Sequence, residues 1–161
     1  MTQSLLRPAA ARRVRALVAL ALLCAAPRLA HAQQMAVVVN PGNAIEELST
    51  DKLRRLYLGQ TRTFPNGAHA RLARHTASAP VFDRAALGLQ PEIVRSRWMA
   101  MIFRGEATAL PTELATADDV KRFVREHPDA IGFLPAGQVD GTVKAISIDG
   151  KRPGDAGYSI H

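Results

Sequence analysis

Met35-Ala-Val-Val-Val-Asn40 is apolar at every position from 35 to 39, and Asn40-Pro41-Gly42 ends the run. A strand with one solvent-exposed face alternates apolar and polar residues, whereas a continuous apolar run is typical of a strand that is buried on both faces. A second run of this kind, Ala130-Ile-Gly-Phe-Leu134, lies near the other end of the chain. The two runs predict the centre of a sheet that carries helices on both sides.

Helical patterns fill most of the sequence between these two runs. The clearest begins at Ser49, a residue that can cap a helix, and ends at Gly59, which tolerates a left-handed turn. Strands that alternate with helices predict an α/β fold with a small mixed sheet flanked by helices. The further predicted elements are helices from Pro80 to about Leu87, from near Pro91 to Gly105 and from Thr116 to Pro128, and short strands over 70–74 and 143–148, with an irregular stretch over 106–113.

The first 32 residues have the pattern of a cleavable signal peptide. Residues 1–15 contain four arginines and no acidic residue, and an apolar run from Ala16 to Ala26 follows. That run is about half of the ~20 residues needed to span a bilayer. Ala30-His31-Ala32 then gives the small-x-small pattern of a signal-peptidase site. We therefore predict a periplasmic protein that begins at Gln33 and has no stable membrane span, with Cys24 inside the signal.

The charge of the chain falls sharply once the predicted signal is removed. The full chain has a formal net charge of +7, but five of its 21 basic residues and none of its 14 acidic residues lie within 1–32. The remaining 129 residues hold 16 basic and 14 acidic side chains, so their net charge of +2 gives no reason to expect a nucleic-acid partner. This length predicts one domain over 33–150, and a flexible tail over 151–161.

Catalytic motifs are missing from the sequence. It contains no Gly-x-Ser-x-Gly elbow, no phosphate-cradling glycine loop and no paired-histidine zinc motif. His75 and Ser78 bring a base near a nucleophile, but a working pair would also need an orienting acid. We therefore predict neither an enzyme nor a cofactor or metal site. An exported enzyme that uses His75 and Ser78 remains an alternative.

The segment from Arg74 to Phe82 is the best candidate for a ligand site. Arg74 offers a forked cationic donor, Thr76 and Ser78 offer hydroxyls, and a predicted helix start adds unpaired backbone N–H groups. Such a set suits a small oxyanion. Pro80 removes one of the backbone donors and Asp83 adds a negative charge, so a capped helix beside a solvated arginine is the structural alternative.

Trp98 is a second residue with two interpretations. It shares helical spacing with Val94, Met101 and Ile102, which predicts that it belongs to the core. A stacking platform for a ligand is the functional alternative.

Three segments of the chain resemble a known family. The segment Ile45-Glu-Glu-Leu-Ser-Thr-Asp-Lys-Leu-Arg-Arg-Leu-Tyr-Leu-Gly59, the order and spacing of Arg74, Ser78 and Phe82, and the strand Asp129-Ala-Ile-Gly-Phe-Leu134 are similar to phosphate-binding proteins of ABC importers. The resemblance implies one lobe of a type 2 periplasmic binding protein. In this family phosphate lies between two lobes and is delivered to a membrane importer. By the match, Arg74 and Ser78 would contact phosphate.

Two functions follow from these patterns. The first is a periplasmic solute-binding-like protein that binds phosphate or a similar small oxyanion through Arg74, Thr76 and Ser78 for an ABC importer. The second is an envelope protein-interaction module that uses the same lobe without a ligand. The turn Ser78-Ala79-Pro80, which stands where the family has Ser-Gly-Thr, favours the second. Under the first function, Arg74→Ala is expected to abolish anion binding with little loss of stability.

Overall fold

The computed structural model describes residues 34–161, so the predicted signal peptide lies outside the described residues. In chain order the strands are β1 (Met35–Val39), β2 (Glu47–Leu48), β3 (Arg71–His75), β4 (Thr112–Leu114), β5 (Ala130–Pro135), β6 (Lys144–Ala145) and β7 (Ser147–Ile148). The helices are α1 (Thr50–Tyr57), α2 (Ala79–Phe82), which continues as a π-helical turn (Asp83–Leu87), α3 (Pro91–Phe103) and α4 (Ala117–Glu126).

The main sheet is mixed and has the strand order β4-β3-β5-β1-β6. β3 runs parallel to both β4 and β5, whereas β1 runs antiparallel to β5 and β6. β2 and β7 form a separate parallel pair. The two continuous apolar runs are the neighbouring strands β5 and β1, as their sequence predicts. The predicted α/β fold with a small mixed sheet is confirmed.

The core lies in two layers because β1 turns alternate residues to opposite faces of the sheet. Val37 and Val39 pack on the side that carries α1, α2 and α3. Ala36 and Val38 pack on the other side, against α4. All five β1 residues are therefore buried, which accounts for the absence of polar residues in that run.

Helix α1 forms as its sequence predicts. The Ser49 hydroxyl accepts a hydrogen bond from the Lys52 backbone N–H at 3.3 Å, and Gly59 after the helix has φ +69°. Tyr57 closes the buried face of the helix. Its hydroxyl lies 3.1 Å from the carbonyl oxygen of Ala73 and 3.3 Å from that of Ile131, and so ties α1 to two strands of the main sheet.

The last eleven residues differ from the flexible tail that we predicted. Tyr158 and Ile160 are buried. The Tyr158 hydroxyl donates to the carbonyl oxygen of Met35 at 2.7 Å, and the Met35 N–H donates to the carbonyl oxygen of Ile160 at 2.9 Å. These contacts complete the core beside β1. Tyr158 and Ile160 are isolated apolar residues in a polar, glycine-containing segment, so no local pattern predicts these contacts.

Two further elements differ from the prediction. Residues 112–114 form the edge strand β4, which overlaps the end of the stretch over 106–113 that we predicted to be irregular. Residues 143–148 do not form one strand, because Lys144–Ala145 pair with β1 while Ser147–Ile148 pair with β2 in the other sheet.

Candidate functional site

Arg74 lies at the end of β3 and is turned towards the aromatic core. Its Nη2 donates to Oδ2 of Asp83 at 2.7 Å, and the two side chains are only 8% and 0% exposed. Its Cζ also lies 5.8 Å from the centre of the Phe133 ring. The nearby negative charge noted in the sequence is thus the direct partner of Arg74. An anion at this arginine would have to share it with a buried carboxylate.

The pair leaves one polar atom of each partner without a hydrogen bond. Arg74 Nη1 and Asp83 Oδ1 are both buried and have no hydrogen-bond partner among the described residues. An unsatisfied buried polar group costs about 1–3 kcal/mol, and more when it is charged. Arg74 therefore retains donor capacity that its ion pair does not use.

The two hydroxyls of the candidate site are engaged by neighbouring groups. The Thr76 hydroxyl donates to the carbonyl oxygen of Leu114 at 3.1 Å. Ser78 is buried, and its Oγ lies 2.7 Å from Nδ1 of His75. Thr76 is exposed and can exchange its partner for a ligand, whereas Ser78 is held inside the fold.

Among the described residues, His75 has no acid to orient it as a general base. Burial lowers the pKa of His75, and a hydrogen bond with the backbone of Ala115 acts in the opposite direction. The imidazole is therefore neutral at pH 7. Within residues 34–161 no carboxylate forms a hydrogen bond with His75, so its contact with Ser78 lacks the third group that a nucleophilic serine requires.

The predicted helix start is also weaker than the sequence indicated. α2 has only four residues, Ala79–Phe82, before it widens into the π-helical turn. So short a helix has few aligned peptide dipoles, and Pro80 removes a backbone donor from its first turn. The π-helical turn places Asp83 against Arg74.

A cavity of about 320 Å³ opens beside Arg74, and we call it the Arg74 cavity. Arg74 and Thr76 line it, but Ser78 does not. Arg95 of α3 adds a second guanidinium to the wall, which sequence reasoning missed because it lies on a different helix with no motif around it. The wall also contains two carboxylates, Glu92 and Glu113.

Trp98 belongs to the core, as its helical spacing predicts. It is 7% exposed, and its Nε1–H donates to the carbonyl oxygen of Tyr57 at 2.9 Å. Its remaining surface nevertheless forms part of the wall of the Arg74 cavity. The two interpretations of Trp98 are therefore compatible.

Two further properties bear on function. No group of three or more histidine, cysteine, aspartate or glutamate side chains within 34–161 is placed to hold a metal ion. In the same part of the chain, every helix is too short or too polar to cross a membrane.

Comparison with solved structures reveals similarities of fold. A phosphate ABC transporter substrate-binding protein with bound phosphate from Clostridium perfringens has a TM-score of 0.58 at 18% identity, over 73% of this chain and 45% of that one. An ABC-type phosphate transport receptor from Vibrio cholerae has a TM-score of 0.52 at 21% identity, over 74% of this chain and 48% of the receptor. PstS from Borrelia burgdorferi has a TM-score of 0.57 at 11% identity, over 74% of this chain and 49% of PstS.

The likeness is one of fold. The chain spans somewhat less than half the length of these proteins, in agreement with the predicted resemblance to one lobe. The predicted resemblance is confirmed at that level. No protein-family model and no curated protein matches the sequence.

Proposed function

We propose that this chain is a non-catalytic, periplasmic solute-binding-like protein, exported by a signal peptide over 1–32. We further propose that it binds phosphate or a similar small oxyanion in the Arg74 cavity for an ABC importer. The fold supports the first part, because two of the three solved structures compared above are named as a phosphate ABC transporter substrate-binding protein and a phosphate transport receptor. The second part depends on the residues of the cavity itself.

The observation that carries the proposal is the meeting of two guanidinium groups at one cavity. Arg74 is more than nine-tenths buried and keeps an unpaired Nη1, and Arg95 lines the same cavity from α3. Thr76, which lines the same cavity, adds an exposed hydroxyl that can donate a hydrogen bond to an oxyanion oxygen. Arginine forks suit phosphate oxygens because they can donate two parallel hydrogen bonds.

The same geometry argues for weak binding. Asp83 already balances the charge of Arg74, and Glu92 and Glu113 oppose an anion from the wall of the cavity. The chain also covers less than half the length of the proteins that it resembles, and the described residues supply the wall of one lobe only. We expect a dissociation constant for phosphate in the millimolar range.

Calorimetric titration of phosphate into the purified protein, at low salt and neutral pH with sulfate as control, tests this function. Saturable heat that favours phosphate is the expected result. Arg95→Ala should weaken binding about tenfold, the effect of one lost charge-assisted hydrogen bond. Arg84→Ala is the matched control, because Arg84 is an exposed arginine outside the wall of the Arg74 cavity.

A gain of function gives the sharper check. Glu113→Gln removes a negative charge from the wall without changing the shape of the side chain, and should tighten phosphate binding several-fold at low salt. If neither the native protein nor this variant releases or absorbs heat at millimolar phosphate, the proposal of oxyanion binding is wrong. Only the part of the proposal that is supported by the fold then remains.

One observation favours the second candidate, an envelope protein-interaction module. α3 has apolar residues on its outer side as well as its inner side: Ile93, Met99 and Phe103 are 54%, 37% and 84% exposed. We call these three residues the outer strip of α3. Exposed apolar side chains that together form a patch often mark contact surfaces. A partner that is retained by the native protein and by Arg95→Ala, but lost with Phe103→Ser, would support this function.

A further inference from the structure

A second cavity, of about 380 Å³, lies beside the Arg74 cavity, and the two share Trp98, Leu110 and Pro111 in their walls. We propose that this second cavity, which we call the Arg62 cavity, binds a small organic anion that has an apolar body. The site does not depend on phosphate binding at Arg74, because other residues form its charged wall.

The ionisable side chains that line the Arg62 cavity are all basic. They are Arg62, His69 and Arg71, and among the described residues no carboxylate joins them in the wall. Asp129, outside the wall, lies 3.3 Å from Nε of Arg71 and 3.9 Å from Nδ1 of His69. The negative charge of Asp129 balances the positive charge of Arg71, the nearer of the two side chains.

Arg62 is the group best placed to recognise the anion. It is exposed and forms no ion pair within residues 34–161. Its guanidinium can therefore donate to a carboxylate, sulfonate or phosphate ester without first breaking an internal contact. Thr61 and Thr108 also line the cavity and add hydroxyl donors. The Arg74 cavity, by contrast, has two glutamates in its wall.

The rest of the wall is apolar and contains two aromatic rings. Trp98 from α3 and Phe123 from α4 line the cavity together with Leu72 and Pro111. The hydrogen bond from Trp98 to Tyr57 fixes the indole ring in place. Apolar walls with a few convergent polar groups, in volumes of ~300–1,000 Å³, are typical of small-molecule sites. Inorganic phosphate would leave this apolar surface uncovered, so the wall selects an anion that carries an apolar body.

Trp98 provides the readout because it is the sole tryptophan in the sequence and lines the Arg62 cavity. The probe is 1-anilinonaphthalene-8-sulfonate, an aromatic body with one sulfonate, followed by energy transfer from Trp98. We expect saturable transfer that millimolar inorganic phosphate does not displace. N-phenyl-1-naphthylamine, the counterpart without the sulfonate, should bind at least about tenfold more weakly, because it gains no charge-assisted hydrogen bond.

Variants locate the probe. Arg62→Gln should weaken binding of the sulfonate about tenfold and leave binding of the uncharged counterpart unchanged. Arg84→Gln is the matched control for loss of one exposed arginine. Arg95→Ala tests the Arg74 cavity and Phe103→Ser tests the outer strip of α3, and both should leave the affinity unchanged. Equal affinity of Arg62→Gln and the native protein for the sulfonate would overturn the proposal, as would loss of binding in Phe103→Ser.

Discussion

The Arg74–Asp83 pair joins the candidate site to the stability of the fold. Asp83 is fully buried and its carboxylate contacts one guanidinium nitrogen of Arg74. Two buried partners of opposite charge are tolerated together, whereas either one alone is a buried charge without compensation. The expectation that Arg74 can be replaced at little cost is therefore revised. The residue that the proposed function relies on is also one that the fold needs.

Replacement of Arg74 tests this dependence. Arg74→Met should lower the free energy of unfolding by about 3–5 kcal/mol, because it leaves the Asp83 carboxylate unpaired. Arg74→Met combined with Asp83→Leu should recover most of that loss, since no buried charge then remains. Urea unfolding at pH 7 measures both, with Arg84→Met as the control for loss of an exposed arginine. A single variant as stable as the native protein would show that the pair contributes nothing.

The double variant also separates stability from binding. It is expected to be folded yet unable to bind phosphate, since it lacks the buried guanidinium of the Arg74 cavity. Retained phosphate binding in the double variant would place the oxyanion elsewhere.

Close packing between β5 and α4 explains one residue of the motif that the family resemblance rests on. A Cβ added at Gly132 would lie 2.9 Å from Cγ1 of Val120 and 3.3 Å from Cβ of Ala73. Glycine at this position thus allows α4 to lie close against the sheet. The Ile-Gly-aromatic pattern therefore has a cause in packing, separate from any role in ligand binding.

Gly132→Ala should lower the free energy of unfolding by about 1–3 kcal/mol, the usual cost of overpacking a core. Gly137→Ala is the matched control: apart from the adjacent residues, a Cβ added there would meet nothing within 4 Å, so we expect a change below about 0.5 kcal/mol. The cost of Gly132→Ala should shrink in a Val120→Ala background, because that change removes the nearest methyl group. Urea unfolding of the four variants measures the coupling, and purely additive losses would contradict this account.

Elements with a strong local pattern could be predicted from the sequence, whereas the candidate site could be predicted only in part, because Arg74 and Thr76 line the Arg74 cavity but Ser78 does not. The apolar run of β1 and the Ser49 cap of α1 need only neighbouring residues to be recognised. β4 has three residues and is largely exposed, so it lacks a pattern of its own. The inward turn of Arg74 depends on Asp83, which a π-helical turn brings into contact, and Arg95 reaches the same cavity from α3. Such contacts are set by tertiary packing.

Two buried tyrosines hold distant parts of the chain to the main sheet. Tyr57 joins α1 to β3 and β5, and Tyr158 joins the last residues to β1. Burial raises the pKa of both hydroxyls well above their usual value, and in Tyr57 the charge of Arg74 acts in the opposite direction. Both side chains therefore remain protonated in the native protein at pH values where an exposed tyrosine ionises.

This difference predicts that the protein loses stability in alkali. Above about pH 10 the unfolded chain releases its phenolic protons while the native tyrosines keep theirs. The unfolded state then binds fewer protons, so the free energy of unfolding falls with rising pH, by up to about 1.4 kcal/mol per pH unit for each tyrosine. Below pH 10 neither tyrosine contributes to the slope.

Tyr57→Phe isolates one of the two contributions. At pH 8 it should cost about 1 kcal/mol, the value of its lost hydrogen bonds. Between pH 10 and 11 the free energy of unfolding of this variant should fall less steeply than that of the native protein. The difference between the two slopes should equal the contribution of one tyrosine. Lysines titrate in the same range, but they are the same in both proteins and cancel in the comparison. Urea unfolding across this range decides the matter, because parallel slopes for the two proteins would mean that Tyr57 ionises in the native state as readily as in the unfolded chain.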